Sequence, residues 1–382
     1  MSRPFNFLWE NRNENDICAP CIFGLEGICA NEFRFLGLEN VRAENGRVLF
    51  DGDFSAMARA NINSRYAERI QILLAEFRAV TFNDLFERVK AVRWADFIGM
   101  SDAFPVKGSC LNSKLMSVPD CQKIIKKAIV QSLSERYMLS WFEETGAPRQ
   151  VQFLIINDRV SILLDTSGSG LHKRGYRAQS NDAPIKETLA AAMAELAGVR
   201  PSHFVVDPMC GSGTILIESA MKALRIAPGL SRSFASERWS CVPDGAFEQE
   251  RERARAAINR DCAFRAEGFD IDEAALEVAK SNADKAGVGD RITFSKRDIR
   301  DFELPEGYCT VITNPPYGER LLDLRAAEEL YAVMGARFKK ESGKRYTIIT
   351  PDDDFEKIFG RKADKRRKTY NGTLKCQIYI YK

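Results

Sequence analysis

The chain of 382 residues predicts an α/β architecture, a doubly wound sheet closed by a C-terminal antiparallel hairpin and preceded by smaller α+β units. Three observations lead there. In the C-terminal half, short apolar runs at 203–206, 266–272, 292–297, 310–313 and 346–350 alternate with helical patterns, as in a mostly parallel sheet. The first run opens into Asp207-Pro208-Met209-Cys210-Gly211-Ser212-Gly213-Thr214, a glycine turn that leads into a helix. Near the end, Asn371-Gly372 separates two strand-like runs and reads as a hairpin turn.

Length and composition bound the rest. A chain this long exceeds one ordinary core, so two or three domains are expected. The apolar and charged fractions, 45% and 29%, are those of a globular protein, and no stretch approaches the ~20 apolar residues of a membrane span. Met1-Ser2-Arg3-Pro4 carries no apolar signal core, so a cytoplasmic location is expected. The ten cysteines follow no framework of spacings and read as reduced thiols. Cys18, Cys21 and Cys29 resemble half of a zinc site, but the only histidines are His172 and His203, and no metal is expected. The net charge of +3 hides the basic run 361–368, which suits either a solvated face or a phosphate backbone.

Residues 1–55 read as a small α+β unit: a strand, a helix ending at Gly37, and strands near Val41 and at 47–50. Residues 56–165 repeat the pattern in longer form. A strand at 69–77 precedes a helix capped by Thr81, whose apolar face is Phe82, Leu85, Phe86 and Val89. A strand at 103–106 leads to a helix at 120–133 with Ile124, Ile125, Ala128 and Ile129 inside. Lys123, Lys126 and Lys127 lie on its other faces, and strands at 151–156 and 160–165 close the unit. Residues 166–182 are rich in glycine and basic groups and read as a joint, with Lys173, Arg174 and Arg177 suited to phosphates.

The domain from 183 to 382 opens with a helix started by Pro184. In the turn after the first strand, Gly211 and Gly213 let a ligand approach the backbone and the helix offers free N–H groups. The pattern has G-x-G only, which disfavours a dinucleotide. Asp270 ends the second strand, where an acid meets ribose hydroxyls, and Asp272 caps the following helix. Asp298 follows the third strand. About 60 residues separate the glycine turn from Asp270, and this insertion reads equally as a lid or a packed surface excursion.

The fourth strand ends in Asn314-Pro315-Pro316-Tyr317-Gly318. Two prolines stop the strand and hold the chain extended. They leave an amide, a proline carbonyl and an aromatic ring at the sheet edge where ligands sit. An amide oxygen and a carbonyl accept from an exocyclic amino group, and tyrosine stacks on a flat ring. The set reads an amino-bearing nucleobase.

This stretch resembles the signature of amino-group methyltransferases that use S-adenosylmethionine. The whole chain is similar to bacterial THUMP-domain RNA methyltransferases related to the ribosomal RNA guanine 2-amino enzymes. The marks are Asp165-Thr166-Ser167-Gly168, Leu171-His172-Lys173-Arg174-Gly175-Tyr176-Arg177, the helix start from Ala183-Pro184 to Ala190, the glycine turn, and Asn314 through Arg320. The resemblance implies a ferredoxin-like region at 1–55, a THUMP RNA-binding domain at 56–165, a linker at 166–182 and a Rossmann-like class I methyltransferase domain at 183–382. It implies S-adenosylmethionine as cofactor and methylation of a guanine 2-amino group in large-subunit (23S) ribosomal RNA. The expected catalytic residues are Asn314, Pro315 and Tyr317. The expected cofactor set is Asp207, Met209, Gly211, Gly213, Thr214, Asp270, Ile271, Asp298 and Asn314, with Pro184 and Thr188; Asp207 would take the amine and Asp298 the adenine amino group. The expected RNA contacts are Lys123, Lys126, Lys127, Lys173, Arg174 and Arg177. A transfer RNA substrate, a DNA adenine methyltransferase and a non-catalytic RNA-binding assembly factor are the alternatives.

Overall fold

A computed structural model describes residues 16–177, 185–317 and 321–382. Pro184, the end of the expected linker and Gly318-Glu319-Arg320 lie outside the described residues.

The N-terminal half contains β1 (Asp16–Pro20), α1 (Glu26–Phe35), β2 (Glu39–Glu44), β3 (Arg47–Asp51), α2 (Phe54–Asn63), β4 (Gln71–Arg78), α3 (Phe82–Lys90), β5 (Val106–Leu111), α4 (Val118–Tyr137), β6 (Val151–Ile156) and β7 (Arg159–Asp165). The strands form one seven-stranded sheet in the order β2-β3-β1-β4-β7-β6-β5. Pairing of Ile17 with Ile72 joins the first three strands to the other four, so the two small units share a surface.

Two departures from expectation have local causes. α2 begins at Phe54, so a boundary at 55/56 falls in its first turn. Asp53 caps it by accepting from the Ala56 N–H at 2.8 Å, and Phe54, Met57, Ala58 and Ile62 are buried. β5 lies later than 103–106 because its residues, including Lys107 and Gly108, are mostly exposed and carry no apolar alternation. Ala103 makes only an isolated bridge with Pro148. Thr81 caps α3 as expected, accepting from the Asp84 N–H at 3.1 Å.

The C-terminal half contains α5 (Glu187–Leu196), β8 (Phe204–Asp207), α6 (Thr214–Ala223), α7 (Ala246–Ala256), β9 (Arg265–Asp270), α8 (Glu273–Lys285), β10 (Ile292–Lys296), β11 (Cys309–Thr313), α9 (Leu321–Arg337), β12 (Lys344–Thr350), α10 (Phe355–Phe359), β13 (Lys365–Asn371) and β14 (Leu374–Tyr381). The strand order is β10-β9-β8-β11-β12-β14-β13. All pairs are parallel except those of β14, which runs against β12 and β13. Every residue of β11 is buried, as a central parallel strand requires. The chain order reverses between β8 and β11, and the carboxyl ends of strands at such a switch point are where open α/β sheets bind ligands. Asn371 pairs with Leu374, leaving Gly372 and Thr373 as the turn, with Gly372 at φ +63°. The glycine is therefore the first turn residue, and Asn371 belongs to the strand.

The joint between the halves is packed. Thr166 and Ser167 are fully buried. The Ser167 hydroxyl donates to Asn61 Oδ1 at 2.6 Å, the Asn61 amide donates to Thr166 Oγ1 at 3.0 Å, and Thr166 donates to the Ile70 carbonyl at 2.6 Å. The Tyr176 hydroxyl donates to Glu218 on α6 at 3.0 Å. The insertion after α6 packs against this joint and the N-terminal half. The Gly229 N–H donates to Ile62 O at 2.8 Å, Ser236 N–H to Thr166 O at 3.1 Å, and the Trp239 indole to Pro148 O at 3.2 Å. The Arg149 guanidinium lies 4.7 Å from the Trp239 ring centre and bonds to Asp102 at 2.8 Å. Of the two readings of the insertion, the packed one describes it: it is a bracket between the halves.

Cys18 packs in a different apolar cluster from Cys21 and Cys29, and among the described residues no group of three metal-ligating side chains assembles. No helix among them is long and apolar enough to cross a membrane.

Trp239 is 2% exposed, so Trp239→Ala is expected to lower unfolding stability by about 3 kcal/mol through the cavity it leaves. Urea denaturation beside the parent protein checks this; an unchanged midpoint would show that the bracket contributes nothing.

Candidate active site

β8, β9, β10 and β11 deliver their last residues to one edge of the sheet. The turn after β8 is shaped by its glycines. Gly213, at φ +76°, is the N-cap of α6, and a Cβ there would stand 3.1 Å from Ala279 and Phe294. Gly211, at φ +50°, has no atom within 4 Å of its Cβ position, so the space beside it is open to a ligand. Asp270 at the end of β9 braces the turn, accepting from the Gly211 N–H at 2.8 Å and from the Asp272 N–H at 3.0 Å. Asp272 caps α8 by accepting from the Ala274 N–H at 2.9 Å.

Asp207 is 2% exposed at the end of β8. Burial pushes its carboxyl up from 3.8 to about 7, against the opposing influence of the Thr313 hydroxyl and the Met209 N–H. A buried acid with so little to hold its charge is suited to an incoming cation. Ile271, immediately after β9, leaves 64% of its surface in water, an apolar contact open to a flat ring. Asp298 caps the short turn after β10, accepting from the Arg300 N–H at 2.8 Å, and remains partly exposed.

The β11 loop stands beside this turn, because β11 pairs directly with β8. The Tyr317 hydroxyl donates to Asn314 Oδ1 and accepts from the Asn371 amide at 3.2 Å. Burial holds the Tyr317 phenol well above its ordinary value, so it stays a donor. Pro315 is buried and Pro316 exposed.

Two expected cofactor residues already have protein partners for their hydroxyls. The Thr188 hydroxyl donates to Glu68 at 2.6 Å, in a cluster with Lys186 and His172 at the domain joint. Burial would raise Glu68, but the nearby His172 ring, 3.6 Å away, and the bonds from Thr188 and Lys186 overcome it and hold the carboxyl at about 2. The Thr214 hydroxyl accepts from Arg177 at 2.8 Å.

Three of the expected RNA contacts are corrected. Arg174 is 3% exposed and donates to the Leu171 and Arg65 carbonyls at 2.6 Å. Arg177 bonds inward to Ile185 O and Thr214 and faces Glu187 at 3.6 Å. Lys126 pairs with Glu144 at 2.5 Å and covers the Phe104 ring at 3.4 Å. For Arg174 and Arg177 buried acceptors outcompete solvent for the cation, while Lys126 and its partner Glu144 each stay about a third exposed. Lys123, Lys127 and Lys173 are exposed. Asn371 was not foreseen at the site, because its contact with Tyr317 crosses from another strand and leaves no local pattern.

The sheet order, the glycine turn and the amide-bearing loop define a class I methyltransferase domain, and the open space at Gly211, the buried Asp207 and the bare Ile271 fit S-adenosylmethionine, its cofactor. Comparisons agree. Residues 174–380 match the family model "RMKL-like, methyltransferase domain", 16–71 the "RlmL ferredoxin-like domain" and 79–165 the "THUMP domain". The Bacillus subtilis protein named "Putative RNA methyltransferase YpsC" is 42% identical over 96% of this chain and 95% of its own. The Psychromonas ingrahamii protein named "Ribosomal RNA large subunit methyltransferase K/L" is 33% identical over 95% of this chain, which spans about half (49%) of that relative. A crystal structure described as "a putative methyltransferase complexed with SAH" superposes with a TM-score of 0.90 at 39% identity, covering 96% of this chain and 97% of the other. The chain belongs to the THUMP-domain, RMKL-like family of S-adenosylmethionine-dependent RNA methyltransferases.

An acid whose folded value lies above its unfolded one binds its proton more tightly when folded. Asp207 therefore destabilises the ligand-free protein above about pH 7, and the penalty fades as pH falls toward 4. Asp207→Asn is expected to melt higher than the parent at pH 8, with the gap shrinking on acidification. Thermal melts across that range check it; a constant gap would mean the carboxyl is already ionised in the folded state.

Proposed function

We propose that the chain methylates the exocyclic 2-amino group of a guanine in large-subunit ribosomal RNA. The observation that carries the reading is the adjacency of Asn314, at the end of β11, to the glycine turn and buried Asp207 at the end of β8. The K/L relative's name supports the ribosomal substrate, and the family likeness supports guanine.

S-adenosylmethionine supplies an electrophilic methyl group on a sulfonium. Asp207 takes its ammonium group, Gly211 and Gly213 give it room, and Asp270, Ile271 and Asp298 line the adenosine end, with Met209 beside them. Asn314 Oδ1 keeps a lone pair beyond the one the Tyr317 hydroxyl occupies. That lone pair and the Pro315 carbonyl accept from the two N–H bonds of the entering amino group. An aromatic amine is a poor nucleophile, since its lone pair is shared with the ring, and positioning of this kind contributes up to roughly 7–11 kcal/mol. The base must leave its stack, at a cost of a few kcal/mol, and the Tyr317 ring offsets part of it. No side-chain base is required; the displaced proton passes to water from the methylated nitrogen. The THUMP half supplies affinity by shape and by the exposed Lys123 and Lys127, with Lys173 of the joint beside it.

Asn314→Ala is expected to lower kcat by about 10²–10³-fold while calorimetry shows S-adenosylmethionine binding intact; the assay is transfer of labelled methyl to ribosomal RNA from a deletion strain. Unchanged turnover would remove Asn314 from the reaction, and label appearing only in transfer RNA would remove the ribosomal substrate. Tyr317→Phe keeps the ring and deletes the bond to Asn314, so kcat should fall about ten-fold with KM for RNA unchanged; steady-state kinetics separate the two.

A further inference from the structure

Phe23, between β1 and α1, and Tyr370, near the end of β13, come from opposite ends of the chain and meet edge to face, with ring centroids 6.3 Å apart. Both rings are left in water: Phe23 is 51% exposed and Tyr370 41%. The seam beneath them is closed without their help. Arg367 donates to the Gly24 carbonyl at 2.8 Å, and a Cβ on Gly24 would stand 2.1 Å from the Lys368 carbonyl oxygen. Packing of the two domains therefore leaves about half of each aromatic residue open to solvent.

Their position is informative. β14 runs against both β12 and β13, so β13 ends at the same sheet edge as β11, the edge that carries Asn314. Asn371, the residue after Tyr370, bonds to the Tyr317 hydroxyl from the opposite face of β13, so Tyr370 flanks the end of the strand outside that contact. Lys375 lies directly across the hairpin from Tyr370, and Lys368 is two residues before it; both are exposed. Aromatic faces flanked by ammonium groups are what an unpaired nucleotide selects, its base stacking and its phosphates meeting the lysines.

We propose that Phe23 and Tyr370 form a two-domain stacking platform for the unpaired RNA nucleotide adjacent to the base that enters over Asn314. This rests on the reading of RNA as the substrate. The platform couples the N-terminal unit to the reaction: a domain far from Asn314 in sequence would supply half of the surface that holds the RNA beside it.

The test uses full-length Phe23→Ala, Tyr370→Ala and Tyr370→Phe proteins. Two readouts are taken: methyl transfer to unmodified large-subunit ribosomal RNA, and anisotropy of a short fluorescent single-stranded RNA of mixed sequence. Each alanine variant should raise KM for RNA and weaken oligonucleotide binding by about ten-fold, with kcat and the Kd for S-adenosylmethionine unchanged, and Tyr370→Phe should restore both. An alanine variant that binds the oligonucleotide as tightly as the parent overturns the platform, as does a loss that Tyr370→Phe fails to restore. Oligonucleotide binding that depends on the pair, in a parent that methylates no ribosomal RNA, retires the ribosomal substrate and upholds the platform.

Discussion

Two seven-stranded sheets meet at a joint whose first residues, Thr166 and Ser167, are locked onto Asn61 of the N-terminal half, while the Ser236 N–H and hydroxyl tie the Thr166 carbonyl to the other half. None of Asn61, Thr166 and Ser167 can lose a partner cheaply, since a buried polar group left unpaired costs about 1–3 kcal/mol. The bracket after α6 adds a second tie through Trp239 and Arg149. These ties set the N-terminal surface against the methyl-transfer half in the arrangement described. A bound RNA would then be measured from one fixed anchor.

The methyl-transfer edge is itself a compromise between stability and readiness. Asp207 is kept where water cannot solvate it, and Ile271 is left where water must. Each is unfavourable in the free protein, and in the proposed binding mode each would be relieved by the same ligand, its cation meeting the acid and its ring covering the isoleucine. The Asn371–Tyr317–Asn314 chain of hydrogen bonds works the other way. It holds the Asn314 amide in place, and in the proposed reaction this would limit the reorganisation left once a base arrives.

Backbone chemistry was the legible part of the sequence. Glycines at the turn after β8, acids at strand ends, the capping Thr81 and Asp272, and the prolines after β11 each impose a local geometry that short segments reveal. Side-chain direction was not. Lys126, Arg174 and Arg177 sit in stretches that look solvated, and only the assembled fold shows the carbonyls and acids that draw them in. The partner of Thr188 was hidden for the same reason, since Glu68 lies 120 residues away. α2 was hidden because its start coincides with a change of sheet strand, and β5 because an exposed strand carries no apolar period.

The bond from Arg367 to Gly24 closes a circle of 343 residues. Loop-closure entropy rises only with the logarithm of length, so so wide a circle adds little to the thermodynamic burden, yet such distant pairings form slowly. On the ribosome the first unit emerges long before the last hairpin exists. Gly24 must therefore wait, uncovered, for a strand not yet synthesised, and the finished enzyme is expected to acquire its last native contact only when its two ends meet.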